Sequence, residues 1–92
     1  MATTYLISYD LNKPIKDYPK LISAIERYEN HCRILKSQWL IYSNSTAESI
    51  FEYLRHYIDA DDELFVCEVS RDCFGKFSNP QAQKWVDLLR QV

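Results

Sequence analysis

The stretch TTYLISYD, residues 3–10, decides how this chain is read. Tyr5, Ile7 and Tyr9 alternate with their neighbours in a segment rich in β-branched and aromatic residues, the pattern of a strand. The segment stops on an acid, Asp10, and Asn12 and Lys13 follow. A carboxylate in that place has two readings. It caps the turn before Pro14, or it carries the chemistry of the protein.

Outward from this strand the periodicity changes. The polar run NKPIKD, residues 12–17, is a loop, and Asp17 can cap a helix with the stripe Tyr18, Leu21, Ile22, Ile25 and Tyr28. Pro19 falls in its first turn, where a missing N–H costs little. Glu29 and Asn30 end that helix, and CRILKSQWLIY, residues 32–42, reads as two strands around a turn near Lys36 and Ser37. Ser45 with Glu48 makes a capping box for a helix carrying Ile50, Phe51, Leu54, Tyr57 and Ile58. The acidic run DADDE, residues 59–63, ends it, and LFVCEV, residues 64–69, is a further strand.

Strand, helix, strand, strand, helix, strand is the order of an α+β, ferredoxin-like βαββαβ unit with a four-stranded antiparallel sheet. Its expected strand order is fourth, first, third, second, with both helices on one face. One domain spans 1–92, with the unit over 3–70 and a loop and C-terminal helix over 71–92. Asn79 and Pro80 start that helix, whose apolar residues are Trp85, Leu88, Leu89 and Val92. The stripe needs a partner: the open face of the sheet or a second subunit, with the dimer role preferred. On this topology Asp10 shares a sheet edge with Asp61, Asp62 and Glu63. With the third strand taken as running along the first, Asn44 and His31 are expected at that edge as well.

Composition bounds the function. The 92 residues are 47% hydrophobic and 14% aromatic, enough for a folded core with many large rings to house. A net charge of −2 is not the footprint of a protein that holds nucleic acid by charge alone. No apolar run is long enough to span a membrane and no charged-then-apolar leader is evident, so no membrane partner is expected. Cys32, Cys67 and Cys73 form neither a disulfide framework nor a zinc spacing, which suits a reducing, cytoplasmic location. A single glycine excludes glycine-rich phosphate loops.

Oxygen donors gathered at one edge suit a hard cation such as Mg²⁺, which activates water and neutralises phosphate charge. The alternative is a turn cap at Asp10 and a solvated acidic turn. Lys13, Lys16 and Lys20, with Arg33 and Lys36, could form a modest basic patch beside Asp10 and engage a phosphate backbone. His31 and His56 have no spacing that pairs either with a nucleophile, and His31 beside Cys32 is not a metal motif.

YLISYDLNKP, KDYPKLISAI, Ser37-Gln38-Trp39 and the D-x-x-D-E-L turn from Asp59 to Leu64 follow one another in this order. Together they resemble small bacterial and phage proteins labelled SinR-like. The first strand also resembles the small CRISPR adaptation proteins that bridge integrase dimers and the virulence-associated protein D ribonucleases. The likeness covers residues 4–70. It implies a ferredoxin-like homodimer whose two copies of Asp10 face each other and hold a divalent metal for phosphodiester cleavage, in a phage-defence setting. Three features depart from that pattern: the mild acidity, no evident fifth strand, and a helical tail. The function expected first is therefore a dimeric, Mg²⁺-dependent nuclease acting on RNA or DNA, with Asp10 as metal ligand and catalytic group and Asn12, Lys13 and Lys16 binding substrate. The second is a non-catalytic homodimer that binds a protein partner or a small nucleotide through the Phe74–Phe77 loop and the last helix.

Overall fold

Alternation in TTYLISYD is realised as strand β1, Thr3–Asp10, in a computed structural model that describes residues 1–12 and 18–91. The expectations placed on Lys13, Lys16, the Asp17 cap and Val92 lie outside those residues. After β1 come α1 (Pro19–Glu26), β2 (Asn30–Leu35), β3 (Gln38–Ser43) and α2 (Ala47–Leu54). A 3₁₀ turn, Arg55–Tyr57, then β4 (Glu63–Glu68) and α3 (Pro80–Arg90) complete the described residues. Among the described residues the architecture is α+β, with one antiparallel sheet of order β2-β3-β1-β4 and three α-helices.

β1 is hydrogen-bonded on both sides. Against β3 it sets Thr3 opposite Ser43 and Ser8 opposite Gln38; against β4 it sets Tyr5 opposite Glu68 and Asp10 opposite Glu63. β3 therefore runs against β1, not along it, and its last residue, Ser43, with Asn44 just after it, lies at the end of the sheet where β1 begins.

The side-chain period of two gives the sheet two distinct faces. Tyr5, Ile7 and Tyr9 of β1 join Trp39 and Ile41 of β3 on one face, where Leu21, Ala24 and Ile25 of α1 and Ile50 and Leu54 of α2 complete the core. The polar atoms of these rings are satisfied: Trp39 Nε1 donates to Tyr9 Oη at 3.1 Å, and Tyr5 Oη donates to the Ser45 carbonyl at 2.7 Å. Arg27, at the end of α1, donates to the hydroxyls of Tyr53 and Tyr57 and so ties the first helix to the second.

The opposite face carries Thr4, Leu6 and Ser8, and α3 covers its β2 side. Ala82 and Val86 are the buried residues of that helix, Trp85 Nε1 donates to Thr4 Oγ1, and Asn79 Nδ2 reaches Cys32 Sγ and the Arg33 carbonyl. The helix is thus spent on its own sheet, where the sequence pattern leaned toward a second subunit. The expected stripe also turns: Leu88 is 49% exposed. Asn79 caps the helix as the sequence indicates, its Oδ1 accepting from Gln81 N. Gln83 then pins the preceding loop, accepting from Phe77 N and donating to the Gly75 carbonyl. Among the described residues no helix is long and apolar enough to cross a membrane.

One cap differs from expectation. The hydroxyl that accepts from Ser49 N belongs to Thr46, one residue past Ser45, because the Ser45 backbone is engaged with Ser43 Oγ and Tyr5 Oη. Thr46→Ala is expected to cost about 1 kcal/mol and Ser45→Ala close to nothing. Ile7→Ala, which empties a fully buried position of the central strand, is expected to cost about 2–5 kcal/mol. Urea denaturation of the three variants checks both statements.

Candidate functional site

Three segments meet where β1 ends. β4 starts beside it, and the acidic turn lies just before β4. Asp62 organises that turn: one carboxylate oxygen accepts from Asn12 N at 2.9 Å and the other from Asp59 N at 2.8 Å, while Asp62 N donates to the Asp59 carbonyl. Asn12 Nδ2 donates to the Asp61 carbonyl. Asn12, expected to bind substrate, is thus held by the acidic turn through both its backbone and its side chain. At Asn12 the turn-capping role considered for Asp10 is filled by Asp62.

The third segment is the β2–β3 turn. Tyr9 N donates to the Ser37 carbonyl at 3.1 Å, which sets Lys36 and Ser37 next to the end of β1. Arg33 closes this turn, its Nε and Nη2 donating to the Lys36 carbonyl at 3.0 and 2.6 Å, with the guanidinium 5.6 Å from the Trp39 ring centroid. The expected basic contribution of Arg33 and Lys36 at this edge therefore has a place in the fold, although Arg33 is already engaged.

Asn44 and His31 do not belong to this edge. Because β3 opposes β1 and β2 opposes β3, His31 pairs with Ile41, and Asn44 follows Ser43, which pairs with Thr3. Both lie toward the other end of the sheet. His31 Nδ1 donates to the Tyr28 carbonyl at 2.8 Å, and its ring rests on Trp39. Cys32 sits on the opposite face, where burial pushes its thiol up and the Asn79 amide opposes that in part. The two neighbours therefore diverge and cannot share a metal.

Asp10 is exposed, and its cross-strand partner is Glu63. Directly opposed side chains of an antiparallel pair leave the same face with Cβ atoms about 5 Å apart, and like charges so placed repel. Neither carboxylate forms an ion pair or hydrogen bond with a described residue. Ser8, Tyr9, Asp10, Glu63, Leu64 and Phe65 line a shallow depression of about 300 Å³ around the pair. Glu63 is the residue the sequence reading left unresolved within the acidic turn. It is singled out only by register, since its nearest acidic neighbour along the chain, Asp62, faces the turn. Asp59, Asp61 and Asp62 bring carboxylate oxygens within 4.8 Å of one another, an arrangement common on surfaces that hold no ion.

No family model matches this chain, and neither a curated protein nor a solved structure shows significant similarity to it.

The geometry makes the Asp10–Glu63 pair a cost to folding. Asp10→Asn and Glu63→Gln are each expected to raise stability by about 0.2–1 kcal/mol at low ionic strength. The gains should shrink in 0.5 M salt, and the double variant should gain less than their sum, because one substitution already removes the repulsion. Urea denaturation at the two salt concentrations measures all three.

Proposed function

We propose that this chain is a ferredoxin-like βαββαβ domain that works as a homodimeric, Mg²⁺-dependent nuclease, with Asp10 as its metal ligand. The strand order and the two strand–helix–strand halves support the fold name, and the resemblance of the first strand supports the dimer. The observation that carries the activity is the uncompensated pair Asp10–Glu63 at the end of the central strands. Two opposed acids without a cation among the described residues carry a cost that an added cation would relieve, and such costs are kept at functional sites.

The donor set fits a hard divalent ion, which takes one or two carboxylates and keeps the rest of its shell as water. Asp10 and Glu63 would hold it, and the ion when bound would supply an activated water and charge for the phosphate. Asp62 and Asn12 fix the end of β1 against the acidic turn and so hold Asp10 in place. Lys36 on one flank would steer the phosphate backbone toward the acids, the role the sequence also suggests for Lys13 and Lys16, which lie outside the described residues. The free thiols fit a reducing cytoplasm.

A second reading has its own support at the far end of the sheet. There Thr4, Asn30, Tyr42, Trp85, Leu88 and Leu89 line a largely apolar groove of about 430 Å³, and Phe74, 83% exposed, stacks on Arg90 with the guanidinium 4.1 Å from its centroid. A groove of that kind suits a non-catalytic module for a small nucleotide or a protein segment.

On the first reading Mg²⁺ at ten times its dissociation constant stabilises the protein by about 1.4 kcal/mol, raising its melting temperature, and Asp10→Asn abolishes both that rise and cleavage of labelled RNA and DNA. A thermal shift produced by nucleotides without Mg²⁺, with no cleavage, would favour the second. Cleavage that survives Asp10→Asn removes Asp10 from the mechanism.

A further inference from the structure

The two edges of the sheet are finished differently. In an antiparallel pair, opposed residues that exchange backbone hydrogen bonds alternate with opposed residues that do not. Val69 N donates to the Thr4 carbonyl at 2.9 Å, so Thr4–Val69 is a bonded pair, and along the register so are Leu6–Cys67, Ser8–Phe65 and Asp10–Glu63. The backbone N–H and C=O groups of Leu64, Val66 and Glu68 therefore point away from β1, out of the sheet. On β2 the outer edge is blunted. Its register shifts between Arg33 and Leu35, and the Arg33 carbonyl accepts from Asn79 Nδ2 at 3.4 Å. β4 has no such break: its pairing with β1 is regular from Glu63 to Glu68, and between those acids run Leu64, Phe65, Val66 and Cys67, with neither lysine nor proline. A regular apolar edge of that kind is a template for another strand.

The edge is complementary to itself. A strand that pairs with its own copy about a two-fold axis must set outward groups against outward groups, which leaves few registers. With the axis at Val66, that residue meets the partner's Val66, and Leu64 meets the partner's Glu68, so every outward N–H and C=O of both strands is used. Phe65, 60% exposed in the single chain, then lies opposite the partner's Cys67, and Glu63 lies opposite Val69. No acid opposes an acid. An axis at Phe65 would set Glu68 against Asp62, and an axis at Glu68 would oppose the two copies of that acid, both repulsive. An axis at Cys67 leaves Leu64 beyond the end of the partner strand. We infer that the β4 edges of two copies join antiparallel about Val66 into one continuous sheet. This rests on the homodimer proposed above and supplies its interface. Val66 pairs with Ile7, so the centre of the seam lies well before the end of β1. The two Asp10–Glu63 pairs then fall on opposite sides of the axis, roughly 20 Å apart along the strands, and each is complete within one chain.

Sedimentation velocity of the wild-type chain and of Val66→Pro, over a range of concentrations, is the first test. The Val66 N–H takes no part in the β1–β4 ladder, so proline there removes the central bonds of the seam and spares those of the fold, which far-UV circular dichroism verifies. The wild type is expected to dimerise reversibly, and Val66→Pro to sediment as a monomer at the same concentrations. The second test, which decides alone if Val66→Pro does not fold, is cross-linking of Phe65→Cys. Opposed residues of a non-hydrogen-bonded pair are close enough for a disulfide. Mild oxidation is expected to give a covalent dimer through Cys67 of the partner subunit, and adding Cys67→Ser to abolish it. A monomeric wild type, a dimer that Val66→Pro leaves intact, or a cross-link that survives Cys67→Ser overturns the inference. The Mg²⁺-induced rise in melting temperature reports the carboxylates separately. A Val66→Pro monomer that keeps the rise supports sites complete within one chain, and one that loses it overturns this placement of the axis. A cross-linked dimer whose wild-type parent shows no rise keeps the seam and removes the metal site.

Discussion

Strand β1 is paired along both edges, and its pleat sorts the whole molecule. Each alternate residue goes either to the face covered by α1 and α2 or to the face partly covered by α3. A slip of one position would drive Thr4, Leu6 and Ser8 into the core and set Tyr5, Ile7 and Tyr9 under the third helix. The same slip would turn Asp10 toward the core face. The burial of three large side chains therefore also fixes the direction in which the terminal acid points. The position of the candidate site is a by-product of core packing.

The acids at this edge divide by what they touch. Asp62 spends both oxygens on backbone N–H groups and holds the turn together, which is a structural use of charge. Asp10 and Glu63 face each other with neither a described cation nor a described donor between them. Hydrogen-bonded carboxylates are stabilising parts of a fold, whereas an opposed and unsatisfied pair works against it. That contrast, more than the number of acids in DADDE, separates scaffold from candidate site.

Much of this arrangement is legible in the residues. The two-residue period of 3–10, the helical spacing of Leu21, Ile22 and Ile25, and the Asn79-Pro80 start of α3 are local signals, and local structure obeys them. Ser45 and Thr46 are adjacent hydroxyls of similar capping strength, and the choice between them falls to a long-range contact, the Tyr5 hydroxyl on the Ser45 carbonyl. Strand direction is likewise non-local: once a helix crossover and a hairpin alternate, β3 must oppose β1, which carries Asn44 and His31 away from Asp10. Glu63 opposite Asp10 is a fact of register between segments some fifty residues apart, and no local pattern encodes it. The packing of α3 depended on Ala82 and Val86, whose modest size lets the helix approach the sheet and which an eye for large apolar residues passes over.

The double pairing of β1 also sets a timetable. One of its partners, β4, follows some fifty residues after it, so the second edge of the central strand stays open until that segment is available. Contacts of such sequence separation are slow to form, because a long loop must close before any of them is gained. Asp10 meets Glu63 only in that last pairing. A nascent or truncated chain that stops before β4 carries the acid without its opposite number, and any activity that needs both is switched on by completion of the sheet.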